Sequence, residues 1–182
     1  MSDRLSRAVF LDRDGVINKA VVRDGRPYAP TSVDEFELLP GVAEAIGALR
    51  GAGFRLVVTT NQPDVGAGRV SRDVVEAMHD RLRRLVPIDD VRVCYHVDAD
   101  GCRCRKPKPG MLLDAAKAWG LDTTRSVMVG DRWRDVDAGR AAGCRTVLVQ
   151  NGYDERPAEG YDAAVGSLLE ASVVILGWEQ RP

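Results

Sequence analysis

The stretch Ala8-Val9-Phe10-Leu11-Asp12-Arg13-Asp14-Gly15 decides the fold, because it changes abruptly from apolar to acidic. The apolar run predicts a buried β-strand. Side chains two positions apart leave a strand on the same side, so the carboxylates of Asp12 and Asp14 can converge at its carboxyl end. Gly15 then lets the backbone turn away without a Cβ clash. Two unpaired carboxylates this close repel unless a cation lies between them, so the pattern indicates either a cation-binding site or an ordinary acidic turn after a strand.

The composition limits the size and class of the protein. A chain of 182 residues is long enough for one domain with a full core, and 45% hydrophobic with 29% charged residues is ordinary for a soluble globular protein. The net charge of −1 gives no basic surface for nucleic acid. The amino terminus lacks the apolar core of a signal peptide, and the apolar stretch Val173 to Leu176 is too short to span a bilayer. We therefore expect neither a nucleic-acid nor a membrane partner.

Strand-like apolar runs alternate with helical patterns along the rest of the chain. After the first strand, the runs predict strands at 55–60, 91–96, 126–130, 145–149 and 163–165. Apolar spacing and capping residues predict helices from 42 to about 51, after Ser71, and at 111–119, 136–142 and 167–176. Continuous apolar strands between helices predict an α/β fold, with a mostly parallel sheet covered on both faces.

The sequence also makes specific predictions for the segment 19–35 and for His79. The polar segment 19–35, which contains glycine and proline breakers, predicts an exposed flap. His79 falls within the helix that follows Ser71, and we expect it to be solvated or at the rim of that helix.

Polar residues follow several of the predicted strands, where parallel sheets bind their ligands. They are Asp12, Asp14, Thr60, His96 and Asp131. Together with Lys106, the aspartates and the threonine describe a Mg²⁺-dependent phosphoryl-transfer site, because such chemistry consists mainly of neutralising phosphoryl oxygens.

Each of these residues has a predicted role. Asp12 would be the nucleophile and form an aspartyl-phosphate, while Asp14 would protonate the leaving oxygen and then activate water. Asp131, Asp12 and the backbone carbonyl of Asp14 would hold Mg²⁺, and Thr60 and Lys106 would bind phosphoryl oxygens. Asp135 would orient Lys106 or a metal-bound water, although helix capping is the alternative for Asp131 or Asp135.

Three thiols and one imidazole lie within eleven residues: Cys94, His96, Cys102 and Cys104. Four such ligands suit a closed tetrahedral Zn²⁺ site, which would be structural and would pin the loop 94–104 that carries Arg105 and Lys106. The alternative is a set of reduced cysteines on a surface loop. Asp98 and Asp100, between the two halves, are expected to be solvated.

Four segments resemble, in order, the motifs of the haloacid dehalogenase-like phosphatases: Asp12 to Asn18, Thr60-Asn61-Gln62, Arg105-Lys106-Pro107, and Gly130-Asp131 followed by Asp135. More narrowly, the chain is similar to the subgroup of heptose bisphosphate phosphatases and histidinol-phosphatases, which also carries Cys-x-His and Cys-x-Cys at the place of the zinc loop. The resemblance covers roughly residues 8 to 150.

The resemblance implies a Rossmann-like three-layer sandwich with a mostly parallel sheet, no large cap domain and a zinc-stabilised loop. It implies one phosphatase domain over residues 1–182, in a cytoplasmic monomer that acts on a small-molecule phosphate ester. Beyond the catalytic residues, the subgroup places substrate contacts at Arg105 and Arg132, in the motif residues Asn61 and Gln62, and in the flap at Asn18 and Tyr28.

The implied reaction is removal of the 7-phosphate from D-glycero-D-manno-heptose 1,7-bisphosphate, with histidinol phosphate as the alternative substrate. Five basic residues favour a second phosphate: Lys19, Arg23, Arg26, Arg105 and Arg132. Asp98 and Asp100 would instead favour the cationic histidinol phosphate, and the loop between His96 and Cys102 is shorter than the heptose enzymes lead us to expect. A polynucleotide 3′-phosphatase and a non-catalytic zinc-stabilised binding module are the remaining alternatives.

Overall fold

The computed structural model describes residues 6–179, and within that range strands and helices alternate. The strands are β1 (Ala8–Leu11), β2 (Val21–Arg23), β3 (Arg26–Tyr28), β4 (Arg55–Asn61), β5 (Asp90–Cys94), β6 (Val127–Gly130), β7 (Arg145–Val149) and β8 (Ala163–Val165). The helices are α1 (Val42–Gly51), α2 (Pro63–Gly66), α3 (Arg72–Leu85), α4 (Gly110–Trp119), α5 (Trp133–Ala141) and α6 (Leu168–Glu179).

Six of the strands form one parallel sheet in the order β5-β4-β1-β6-β7-β8. The first strand of the chain lies inside this sheet, where Leu11 pairs with Val58 of β4 on one side and Val129 of β6 on the other. Along the chain, β4 and β5 are added on one side of β1, and β6, β7 and β8 are then added on its other side. Such a reversal opens a crevice outside the carboxyl ends of the strands, which is where Asp12 lies.

Both faces of the sheet are buried, as the uninterrupted apolar strands predict. In β1, Val9 and Leu11 belong to one core, while Ala8 and Phe10 belong to the other. Helices α1, α3 and α6 cover the first face, and α4 and α5 cover the second. The predicted fold class, a Rossmann-like three-layer sandwich with a parallel sheet, is therefore confirmed.

The segment between β1 and α1 is the predicted flap, and among the described residues it contains a two-stranded hairpin but no inserted cap domain. The antiparallel pairing of β2 with β3 was missed by the sequence analysis, because these strands are short and mostly exposed. An exposed hairpin buries too little apolar surface to leave a clear alternating pattern.

Several predicted element boundaries differ from the structure, and two of the differences have a local reason. The helix predicted at 136–142 begins at Trp133, because the Asp135 carboxylate accepts a hydrogen bond from the backbone N–H of Arg132 at 3.0 Å and caps the helix. The strand predicted at 91–96 ends at Cys94, so that His96 lies beyond the sheet.

The expectation that His79 is solvated is also wrong. Its side chain is completely buried on the inner side of α3, between Val75 and Leu82. The imidazole is retained inside the protein because the buried guanidinium of Arg13 lies 3.1 Å from its Nε2 atom.

No helix among residues 6–179 is long and apolar enough to cross a membrane.

The packing of α5 on the sheet yields a test of the fold. A Cβ atom added at Gly139 would lie 2.6 Å from Met128 Cβ and 2.7 Å from Thr146 Cγ2. We expect Gly139→Ala to lower the free energy of unfolding by about 1–3 kcal/mol, because overpacking outweighs the gain in helix propensity. Urea unfolding followed by circular dichroism measures the change.

Gly47→Ala is the matched control. Gly47 lies on the exposed side of α1, and a Cβ atom there would meet nothing within 4 Å. This variant should raise the free energy of unfolding by about 0.5–1 kcal/mol. A stabilising effect of both substitutions would contradict the close approach of α5 to β6 and β7.

Candidate active site

The ammonium group of Lys106 lies at the floor of the site and is almost completely buried. It donates to Asp12 Oδ1 at 2.8 Å, to the backbone carbonyl of Thr59 at 2.8 Å and to Asp135 Oδ1 at 2.5 Å. All three of its protons are therefore used. Burial alone would lower the pKa of Lys106, but the carboxylates of Asp12 and Asp135 outweigh burial and hold the pKa above its ordinary value.

Three carboxylates form a cluster around this lysine. Oxygen atoms of Asp12, Asp131 and Asp135 lie within 4.8 Å of one another, and all three side chains are buried. Burial, with the nearby charge of Asp135, raises the pKa of Asp12 to about 6 against the opposing effect of Lys106. Burial and the charges of Asp12 and Asp135 likewise raise the pKa of Asp131 well above its ordinary value. One lysine does not neutralise this cluster, and a bound cation would.

The orientation of Asp131 suits a metal ligand. Its Oδ2 atom accepts a hydrogen bond from the side-chain amide of Asn151 at 3.1 Å. Its Oδ1 atom is buried, and among the described residues it has no hydrogen-bond partner. Gly15, with a φ of +85°, closes the site on this side, since a Cβ atom there would overlap Asp131. An unpartnered buried carboxylate oxygen beside Asp12 fits Mg²⁺, which prefers such oxygen ligands.

The carboxylate of Asp14 lies apart from this cluster. Its Oδ1 atom accepts from Arg13 Nη2 at 3.0 Å and from Asn18 Nδ2 at 2.9 Å, and its Oδ2 atom accepts from Gln62 Nε2 at 2.8 Å. Gln62 also donates to the hydroxyl of Thr60 at 2.9 Å. The structure thus brings the first two motifs together through these buried side chains.

A cavity of about 250 Å³ opens above Asp12 and Lys106. Of the substrate contacts predicted from the sequence, it is lined by Tyr28, Asn61, Arg105 and Arg132. Asn18 is not brought to this cavity, because it is fully buried and its amide holds Asp14. Gln62 is buried in the same way and contacts Asp14 and Thr60 instead of lining the cavity.

The arginines around the cavity differ in their pairing. Arg132 forms a bidentate ion pair with Glu155, and Arg69 forms an ion pair with Asp64 at 2.6 Å. Asp98 is exposed, as predicted, but it also accepts from Arg105 Nε at 2.6 Å and lies 3.4 Å from Arg134. Arg26 has no carboxylate partner within 4 Å among residues 6–179, and Arg105 Nη1 is buried without a hydrogen-bond partner in the same range.

The four zinc-ligand candidates converge in one cluster. The sulfur atoms of Cys94, Cys102 and Cys104 lie 3.3 to 3.7 Å apart, and His96 Nδ1 lies 3.4 Å from the sulfur of Cys104 and 3.6 Å from that of Cys94. These distances are too long for disulfides, and the thiols are free. Zinc–sulfur bonds of about 2.3 Å in a tetrahedron place the sulfurs about 3.8 Å apart, so this donor set fits Zn²⁺.

Sequence reasoning missed several residues of the site. Arg69 and Arg134 line the cavity, and Asn151 holds Asp131. Asn151 follows β7, which neighbours β6, so the rule that ligands bind at the carboxyl ends of parallel strands could have identified it. Nothing comparable in the sequence marks Arg69 or Arg134.

Comparison with known proteins places this site in a family. Residues 103–171 match the family model of the HAD-hydrolase-like proteins. The heptose-1,7-bisphosphate 7-phosphatase of Pseudomonas aeruginosa is 43% identical over 84% of this chain and 86% of its own. The corresponding protein of Rhodopseudomonas palustris is 43% identical over 75% of this chain and 79% of its own.

Solved structures agree with the sequence relatives. The crystal structure of the heptose bisphosphate phosphatase of Bordetella bronchiseptica, complexed with magnesium and phosphate, superimposes with a TM-score of 0.82 at 33% identity, covering 94% of this chain and 99% of that one. The enzyme of Burkholderia thailandensis gives a TM-score of 0.66 at 28% identity, covering 97% and 100% of the two chains. The chain therefore belongs to the HAD-like hydrolase family, within the group that contains the D-glycero-D-manno-heptose-1,7-bisphosphate 7-phosphatases.

Proposed function

We propose that this protein is a Mg²⁺-dependent phosphatase that removes the 7-phosphate of D-glycero-D-manno-heptose 1,7-bisphosphate. The observation that carries the proposal is the buried contact of Asp12 with Lys106 at the floor of a cavity rimmed by arginines. The names of the relatives, among them the Pseudomonas aeruginosa protein, support the same substrate.

The reaction would begin at Asp12. Its carboxylate attacks phosphorus, an aspartyl-phosphate bond forms, and the bond from phosphorus to the sugar oxygen breaks. Asp14 gives the leaving oxygen its proton, and then takes a proton from the water that hydrolyses the intermediate. Lys106, already 2.8 Å from Asp12, would neutralise charge on the phosphoryl oxygens, and the hydroxyl of Thr60 would donate a hydrogen bond to one of them.

Asp12, Asp131 and the backbone carbonyl of Asp14 would hold Mg²⁺, which would supply further positive charge to the phosphoryl oxygens. Asp135 lies within the carboxylate cluster, but its two oxygens contact Lys106 and the backbone N–H of Arg132. This contact supports the role proposed for Asp135, which is to orient Lys106.

The charges around the cavity support a bisphosphate substrate. Asp98, which could have recognised the cationic histidinol phosphate, already lies between Arg105 and Arg134. Asp100 accepts a hydrogen bond from the backbone N–H of Val97. The acidic residues of the loop thus already have partners within the protein, whereas Arg26 and Arg105 line the cavity, and Arg26 has no carboxylate partner among the described residues that would compete with a phosphate.

We further propose that Cys94, His96, Cys102 and Cys104 bind one structural Zn²⁺ ion. The loop they hold leads directly into Arg105 and Lys106, and the side chain of Asn61 is hydrogen-bonded to both backbone polar groups of Lys106 at 3.1 Å. The metal would therefore maintain the position of the lysine from one side, while β4 maintains it from the other.

The remaining proposals concern the state and setting of the protein. We propose a cytoplasmic monomer in which residues 1–182 form one phosphatase domain, acting on a small molecule and not on nucleic acid. Free thiols suit a reducing compartment, and the net charge of −1 offers little attraction to polyphosphate backbones.

Substitution of the nucleophile is the first test. Asp12→Asn should lose at least about a thousandfold in kcat with heptose bisphosphate, because an amide cannot form the acyl-phosphate. The fold should be retained, since the side chain keeps its volume and the variant relieves repulsion with Asp131. Phosphate release and thermal melting measure the two effects. Asp80→Asn, on the exposed side of α3, is the control, and substantial turnover of Asp12→Asn would refute the assignment.

Zinc analysis is the second test. Purified protein should contain about one zinc per chain, and Cys102→Ala should lose the metal and melt at a lower temperature. Added Mg²⁺ should restore neither property. Cys144→Ala, which removes a buried thiol outside the cluster, should keep its zinc. A metal content near zero in protein purified without chelators would mean that the cluster is only a set of reduced cysteines.

Substrate preference is the third test. We expect kcat/KM for heptose 1,7-bisphosphate to exceed that for histidinol phosphate by at least about tenfold, or about 1.4 kcal/mol of transition-state binding. Arg26→Gln and Arg105→Gln should each reduce this ratio, whereas Arg125→Gln, before the amino end of β6, should not. Assays with both anomers would define the sugar, and a preference for histidinol phosphate or for a 3′-phosphorylated oligonucleotide would overturn the proposed substrate.

A further inference from the structure

We infer that His79 is a positioning residue for Asp14, and that it acts through the buried guanidinium of Arg13. The inference rests on the proposed function, in which Asp14 protonates the leaving oxygen. It assigns a role in the reaction to a histidine on α3 that does not line the active-site cavity.

The contact between Arg13 and Asp14 is the first link. Arg13 is fully buried, and its Nε and Nη2 atoms both donate to Asp14 Oδ1, at 3.1 and 3.0 Å. Its Nη2 atom also lies 3.1 Å from Asp14 Oδ2. A planar guanidinium that contacts a carboxylate through several N–H groups fixes its orientation as well as its position.

The contact between Arg13 and His79 is the second link. Arg13 Nη1 lies 3.1 Å from His79 Nε2. Because a guanidinium can only donate hydrogen bonds, Nε2 must accept, and the proton of the neutral imidazole lies on Nδ1. The Nδ1 atom faces the Glu76 carboxylate at 3.5 Å.

The surroundings keep this imidazole neutral. Burial, followed by the charge of Arg13, lowers the pKa of His79 to about 4, although Glu76 opposes the shift and Arg83 adds slightly to it. A protonated ring would direct an N–H group at the guanidinium, and the acceptor would be lost. His79 therefore remains an acceptor for Arg13 at neutral pH.

Loss of this acceptor would be transmitted to Asp14. A buried Nη1 group without a partner is costly, so the guanidinium would move toward another acceptor and pull the carboxylate with it. Asn18 and Gln62 would still bind Asp14, but the three contacts from Arg13 would be disturbed. A small displacement of a proton donor is enough to slow the step that needs its proton.

Two substrates with different leaving groups distinguish this positioning role of His79 from a merely structural one. A sugar alkoxide must be protonated as it departs, whereas p-nitrophenolate is a stable anion that leaves without a proton. Because kcat/KM reports the steps through formation of the aspartyl-phosphate, a defect in Asp14 should lower it for the sugar phosphate and spare p-nitrophenyl phosphate. A general loss of folding or of phosphate binding would lower both values together.

The experiment compares His79→Met with His79→Gln, two side chains of similar length. The methionine offers no strong acceptor, and we expect kcat/KM for heptose bisphosphate to fall by about tenfold or more, with a loss of less than about twofold for p-nitrophenyl phosphate. The amide oxygen of glutamine can accept from Arg13 Nη1, so His79→Gln should restore most of the sugar-phosphate activity. Thermal melting of each variant shows whether the fold is retained.

An equal loss with both substrates, or no loss in folded His79→Met, would overturn the inference. If His79→Met does not fold, Arg13→Met is the second variant, because it removes the buried charge together with the hydrogen bonds that hold Asp14. It should show the same selective loss for the sugar phosphate. An equal loss with both substrates there would also overturn the inference. Failure of the wild-type protein to hydrolyse heptose bisphosphate would instead refute the proposed function, so the two failures are distinguishable.

Discussion

The site depends on one buried ammonium group. Lys106 donates three hydrogen bonds: to Asp12 after β1, to a backbone carbonyl of β4 and to Asp135 in α5. Three separate parts of the fold therefore meet at its nitrogen. Its charge allows carboxylates to lie buried beside one another, which would otherwise be strongly unfavourable. In the proposed reaction, chemistry and stability therefore rely on the same group, because the lysine that would bind the phosphate also holds the acids together.

Much of this arrangement could be predicted from local patterns. The apolar run of β1, the acids that follow it and the helices between strands define a parallel sheet and the edge at which ligands bind. The burial of His79 could not be predicted from such local patterns. It lies four residues after Val75 and three before Leu82, on the apolar side of α3, yet its polarity suggested exposure. What permits its burial is Arg13, and a partner distant in sequence leaves no local pattern.

The charge of the cavity rim could not be predicted for a related reason. A count of basic and acidic residues treats each as free, but Arg132 contacts Glu155 and Asp98 lies between Arg105 and Arg134. These pairs join loops that follow different strands, and only the folded chain reveals them. The number of cations available to a substrate is therefore smaller than composition implies, and so is the number of free acids.

The central position of β1 has a consequence for the order in which the protein forms. During synthesis this strand leaves the ribosome before the other strands of the sheet, and β4 soon becomes available as one neighbour, but β6 on its other side lies more than a hundred residues downstream. Until then one edge of β1 is unpaired and apolar, a state that promotes aggregation in nascent chains. The strand that leads into Asp12 is thus paired on both edges only after β6 has been translated.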